Sequence, residues 1–195
     1  YLVGEIVVRV WFPQPMLPRY VVDAPYGIRV NKPNMSVWHT SPEYYVNVRT
    51  NSHGIRADKE ISYHKPPGVF RIVGLGDSFT LGYEVDLEDT YLYQLEKNLN
   101  EKMETAVEVV NLSVSGFGTA EELITLKEEG FKYSPDMVIL GYFNNDIENN
   151  VTSNLYTFQD DTLRRAASTY LPAVGIRKLL YAIPGYKYLA EESQL

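Results

Sequence analysis

Between Phe70 and Val85 the chain reads FRIVGLGDSFTLGYEV: an apolar run that halts at Gly76, then Asp77, Ser78 and, four residues past the serine, Gly82. The run, begun at Val69, predicts a strand buried on both faces, as in a parallel sheet. The Gly-Asp-Ser turn at its end has two readings. Asp and Ser are ordinary helix caps. A strand, a tight turn and a helix start would also present a serine hydroxyl beside N–H groups aimed at a developing anion.

Downstream, strands and helices alternate. LEDTYLYQLEKNLNEKM sets Leu92, Leu95 and Leu99 at helical spacing, with Glu and Lys on the other side. AVEVVNLSV reads as a second strand and PDMVILGYF as a third. Between them GTAEELITLKEEG predicts a helix with Thr119 as N-cap, Glu122 at the third helical position and Gly130 as exit. Its EELITLKEEG stretch reads as a solvated face with charge pairing. Short connections at each step predict right-handed crossovers and an α/β fold, its parallel sheet covered on both faces. Ligands in such folds sit at the carboxyl ends of the strands, which marks three loops: GDSF, NLSVSGFG and NNDIENN. Beyond Asn150, TSNLYTFQDD reads as a loop, and TLRRAASTYL and VGIRKLLYAI as helices separated by Pro172.

Upstream, residues 12–68 are punctuated by FPQPMLP, NKPN, TSPEYY and HKPPG, with short alternating runs such as YYVNVRTN between them. They predict an irregular β-rich lead-in rather than an independent domain. The division expected is therefore 1–68 for the lead-in and 69–195 for the α/β domain. The opening YLVGEIVVRVWF carries Glu5 and Arg9. It is too short to span a bilayer, which takes about 20 mostly apolar residues. It reads either as the exit end of a longer helix or as a short element packed on the domain.

Composition excludes several classes. A net charge of −7 lacks the basic footprint of a nucleic-acid binder. With no cysteine there are neither disulfides nor thiolate metal sites. The three histidines, His39, His53 and His64, have no zinc-site spacing and all precede Gly76. Sixteen tyrosines suit half-wet surfaces such as sugar-binding or interface patches.

The candidate chemistry lies in the three loops. Ser78 needs a base to become a nucleophile, and acyl transfer needs preorganised donors for its oxyanion. Gly116 lets backbone approach a ligand closely, and Asn145 offers a side-chain amide. GDSF at 76–79, NLSVSGFG at 111–118 and NND at 144–146 together resemble the first three blocks of the SGNH (GDSL-like) hydrolases. The resemblance implies a flavodoxin-like three-layer α/β/α fold and a serine-dependent esterase, deacetylase or acyltransferase with no metal or organic cofactor. Ser78 would be the nucleophile and lend its N–H to the oxyanion hole, with the Gly116 N–H and the Asn145 amide completing it. The partner implied is an acyl ester, on a carbohydrate or lipid. VRTNSHGIRADKE, residues 48–60, is similar to the lead-in of a membrane-anchored branch, which implies an extracytoplasmic, anchored protein.

Two features depart from the family pattern. Phe143 stands where a glycine is usual, two residues before the Asn. The family's base comes from a late Asp-x-x-His, and no histidine follows His64. Relatives that place an Asp-x-His before the serine are not matched either. The sequence thus leaves two expectations: a truncated domain whose base histidine lies outside this chain, or a catalytically silent carbohydrate-binding or assembly module on the same fold. Either way, residues 1–195 alone should turn over slowly, since losing the histidine of a serine triad costs roughly a million-fold.

Overall fold

The computed structural model describes residues 2–11, 20–169, 179–180, 182–186 and 189. Its centre is a three-stranded parallel sheet. Strand β5, Val69–Gly76, occupies the bounds its apolar run predicts. It pairs on one side with β6, Ala106–Asn111, from Val69↔Ala106 to Gly74↔Asn111. On the other side it pairs with β7, Met137–Gly141, from Ile72↔Met137 to Gly76↔Gly141. The spatial order β6–β5–β7 means that the chain crosses over β5 between β6 and β7.

Alternate residues of β5 face opposite layers. On one face Ile72, Val107 and Val109 bury against Leu92 of helix α3, Tyr91–Lys102, with Leu95 and Leu99 beside it. Thr90 caps that helix by accepting the Tyr93 N–H. On the other face Val73, Leu75, Val110 and Leu112 meet Tyr133 and Leu126, together with Ile55 and Ile61 of the lead-in. Leu126 lies on helix α4, Thr119–Glu128, and Tyr133 in the 3-10 turn that comes after it. The architecture is mixed α/β with a parallel sheet, helices on both faces and additional N-terminal strands.

Those strands form two antiparallel hairpins: β1, Val21–Asp23, with β2, Arg29–Asn31, and β3, Ser36–Thr40, with β4, Tyr45–Arg49. Before them lies helix α1, Leu2–Trp11. No helix among the described residues is long and apolar enough to cross a membrane.

One buried charge holds the sheet to its surroundings. The Arg71 guanidinium, on β5, is 1% exposed. Its Nε and Nη2 both reach Glu108 Oε2, at 2.7 and 2.5 Å. Its Nη1 donates to the carbonyls of Tyr133 and Tyr63, at 2.8 and 3.2 Å.

Four expectations are corrected. NNDIENN, expected as a loop, is helical from Asp146, where helix α5, Asp146–Ser153, begins. Helix α4 is capped one residue earlier than expected, by Gly118, and Glu121 rather than Glu122 reaches back to the cap N–H, at 3.2 Å. Asn150 is the reason. It donates to Thr119 Oγ1 at 2.7 Å and accepts the Ala120 N–H at 2.9 Å, so a side chain from another element serves the helix start. The N-terminal half of EELITLKEEG is not solvated: Glu121, Glu122 and Thr125 are buried. Finally, residues expected as a loop and a helix form a hairpin, β8, Tyr156–Gln159, with β9, Thr162–Arg165. Asp160 and Asp161 join them with φ of 50° and 54°, the doubly left-handed turn that matches strand twist. Most of the helix expected over 174–183 lies outside the described residues.

Candidate active site

Because β6 and β7 flank β5 on opposite sides, the carboxyl end of β5 is the switch point of the sheet, where a crevice opens in such folds. Ser78 stands there. Asp77 caps the short helix α2, Ser78–Leu81, by accepting the Phe79 N–H at 2.8 Å. Ser78 is half-buried and opens that helix. Gly116, in the loop after β6, is exposed with φ +78°, a left-handed conformation that favours glycine. Asn145 immediately precedes helix α5, Asp146–Ser153, and its Oδ1 is buried without a protein donor among the described residues. Neither the Ser78 N–H nor the Gly116 N–H is taken by another described residue.

Side chains tie these three loops to one another. Asn111 Nδ2 donates to Thr80 O at 3.3 Å, joining the second loop to the first. The Phe79 and Phe143 rings stack at 4.0 Å, joining the first loop to the third. Phe143, the departure from the family pattern, thus has a structural part in this chain. Asn149 Nδ2, on helix α5, donates to Phe117 O at 3.0 Å, joining the element after β7 to the second loop. Beneath them Thr80 is wedged against two strand-end glycines. A Cβ on Gly141 would lie 2.1 Å from Thr80 Oγ1 and 2.8 Å from the Tyr91 hydroxyl, and one on Gly76 would meet the same Oγ1 at 2.1 Å. Gly141→Ala is therefore expected to cost about 1–3 kcal/mol by overpacking, read from the denaturation midpoint.

Arg56, a residue that sequence reasoning misses, steadies the segment after Ser78. Its buried guanidinium donates to Leu81 O at 3.0 Å, to Gly82 O, and to Val85 O at 2.5 Å. Burial, the dominant effect, lowers its pKa against the field of Asp86 and Glu88. The available signal is the stretch NSHGIR, whose turn is built by Asn51 Oδ1 accepting the His53 and Ile55 N–H groups. Beside Arg56's loop a hollow of about 290 Å³ is lined by Ser78, Phe79, Tyr83 and Val85.

No histidine is hydrogen-bonded to Ser78 among the described residues. His39 is buried, its Nε2 2.7 Å from the Tyr44 hydroxyl and its ring against Tyr83. Burial lowers its pKa. His53 Nδ1 pairs with the Tyr133 hydroxyl at 2.9 Å, and its ring stacks on Tyr63. His64 is exposed, with its backbone N–H on Ser62 Oγ.

Under the loops lie three buried carboxylates: Asp77, Glu122 and Asp146. Burial first, then the fields of Asp146, Asp77 and Glu121, push the Glu122 carboxyl up to about 8. Burial also raises Asp146. No group of His, Cys, Asp and Glu among the described residues has the arrangement of a metal site.

A family model for the GDSL-like lipase/acylhydrolase domain matches residues 72–184, more than half of the chain. The chain belongs to the GDSL-like lipase/acylhydrolase family. The matched region takes in the loops after β5, β6 and β7, and with them Ser78, Gly116 and Asn145. No curated protein gave a match. For a GDSL-like acylhydrolase the reaction class is hydrolysis or transfer of acyl esters. The loops at the strand ends carry the Ser78 hydroxyl, the uncommitted N–H groups of Ser78 and Gly116, and the Asn145 amide.

Proposed function

We propose that this chain is the N-terminal portion of a serine esterase or acyltransferase domain that works through an acyl-enzyme on Ser78. In this reading residues 1–68 are a lead-in and 69–195 the hydrolase portion. Ser78 Oγ attacks the ester carbonyl while its proton passes to a histidine. The tetrahedral oxyanion accepts from the Ser78 N–H, the Gly116 N–H and Asn145 Nδ2. The histidine then returns the proton to the departing alcohol, and water or an acceptor hydroxyl releases the acyl group. Since no histidine ring is hydrogen-bonded to Ser78 among the described residues, with His39 Nε2 on Tyr44 and His53 Nδ1 on Tyr133, we assign the base to a histidine outside residues 1–195. An ester of acetate or a longer acid, on a carbohydrate or lipid alcohol, is the substrate class proposed.

The observation that carries the reading is Ser78 at the switch point, with its N–H and that of Gly116 uncommitted. The test is turnover of an activated acetyl ester by protein that includes its base. Asn145→Ala is expected to lower kcat by about 10²–10³ with little change in KM, the effect of removing one oxyanion donor. Equal turnover by the variant would remove Asn145 from the mechanism. Absence of turnover by the unaltered protein would favour a silent carbohydrate-binding or assembly module.

A further inference from the structure

The three carboxylates behind the loops come from three elements: Asp77 from the turn before α2, Glu122 from α4 and Asp146 from the start of α5. Asp77 and Asp146 are fully buried and Glu122 is 1% exposed. One oxygen of each aspartate is in use: Asp77 Oδ1 accepts the Phe79 N–H at 2.8 Å, and Asp146 Oδ2 the Phe143 N–H at 3.1 Å. The other two, Asp77 Oδ2 and Asp146 Oδ1, and both oxygens of Glu122 receive no donor from the described residues. The other ionisable groups facing Glu122 are Glu121 on its own helix and the Tyr91 hydroxyl from α3. Arg29 acts on Glu121.

Three adjacent carboxylates with four undonated oxygens, out of reach of solvent, do not all stay ionised. Neither oxygen of Glu122 accepts an N–H, whereas each aspartate keeps one such bond, so the proton goes to Glu122. We propose that Glu122 is a carboxylic acid at neutral pH and a positioning residue. Its O–H is given to Asp77 Oδ2 or Asp146 Oδ1, which ties helix α4 to the turn carrying Ser78 in the first case and to the turn carrying Asn145 in the second. The catalytic consequence, but not the protonation, rests on the functional reading above.

The folded protein then holds a proton that the unfolded chain, with Glu122 near 4.5, releases. The stabilisation is full below about pH 4.5 and is lost as pH rises through about 8. Glu122→Gln keeps a donor and cannot titrate, whereas Glu122→Leu removes the donor. Infrared difference spectra of wild type against Glu122→Gln are expected to show one protonated-carboxyl C=O band, lost in the variant and titrating near pH 8. In protein carrying its base, reaction of Ser78 with a fluorophosphonate is expected to stay within about two-fold in Glu122→Gln and to fall about ten-fold or more in Glu122→Leu. In wild type it declines between about pH 7 and 9, and in Glu122→Gln that decline is absent.

Absence of the band, as when all three carboxylates are ionised around a cation, overturns the proposal. Equal reactivity of the Leu and Gln variants overturns the positioning role. Should the Leu variant not fold, the band and the pH profile of Glu122→Gln decide alone. The infrared result is independent of whether Ser78 is a nucleophile, so a band without any fluorophosphonate reaction would count against the functional reading and leave the protonation standing.

Discussion

Ser78→Ala is expected to lower ester turnover by about a million-fold in protein carrying its base, leaving about a thousand-fold over water from the oxyanion donors and binding. The loss is expected in kcat, because the hydroxyl is the group that forms the acyl bond. The same substitution is expected to leave stability within about 0.5 kcal/mol, since the Ser78 hydroxyl has no hydrogen bond to a described residue and the side chain is half-buried. Turnover assays paired with thermal melts separate the two effects. A variant with unimpaired turnover would place the nucleophile elsewhere. A variant that unfolds would make Ser78 a structural cap.

The largest effect on stability is expected at Arg71. Arg71→Met keeps much of the side-chain volume but strands Glu108 and the carbonyls of Tyr63 and Tyr133, which the guanidinium serves at 2.5–3.2 Å. Breaking a buried pair from one side costs about 3–5 kcal/mol; the Glu108 side chain is 21% exposed, so the low end of that range is expected, visible as a lowered urea midpoint. Arg71→Lys recovers only part of this, because an ammonium cannot fork to Glu108 and two carbonyls together. A loss below about 1 kcal/mol for Arg71→Met would mean that the apolar layers alone hold β5 to β6 and to the turn after α4.

Much of this fold was legible because its strongest signals are local. The apolar run Val69–Gly76 and the Leu92, Leu95, Leu99 face each report burial directly, and both form the elements they predict. The three loops were legible as strand ends carrying Ser78, Gly116 and Asn145. The illegible parts depend on partners distant in sequence. The start of α4 shifts because Asn150, 31 residues after Thr119, serves it. The charge pattern of EELITLKEEG fits a solvated helix equally well, and only the tertiary packing of α4 buries Glu121, Glu122 and Thr125. Arg56 reads as one more charge in the lead-in until the fold brings it under Leu81, Gly82 and Val85. The hairpin across Asp160 and Asp161 lacks the glycine that usually announces such a turn, so TLRRAAST kept its helical appearance.

The most direct measurement is the mass and position of the adduct formed when protein carrying its base is treated with a fluorophosphonate. One adduct per chain, mapped by peptide fragmentation to Ser78 and absent from Ser78→Ala, is the expected result. No adduct on folded protein, or an adduct on another hydroxyl that persists in Ser78→Ala, would contradict the assignment of Ser78 as the nucleophile.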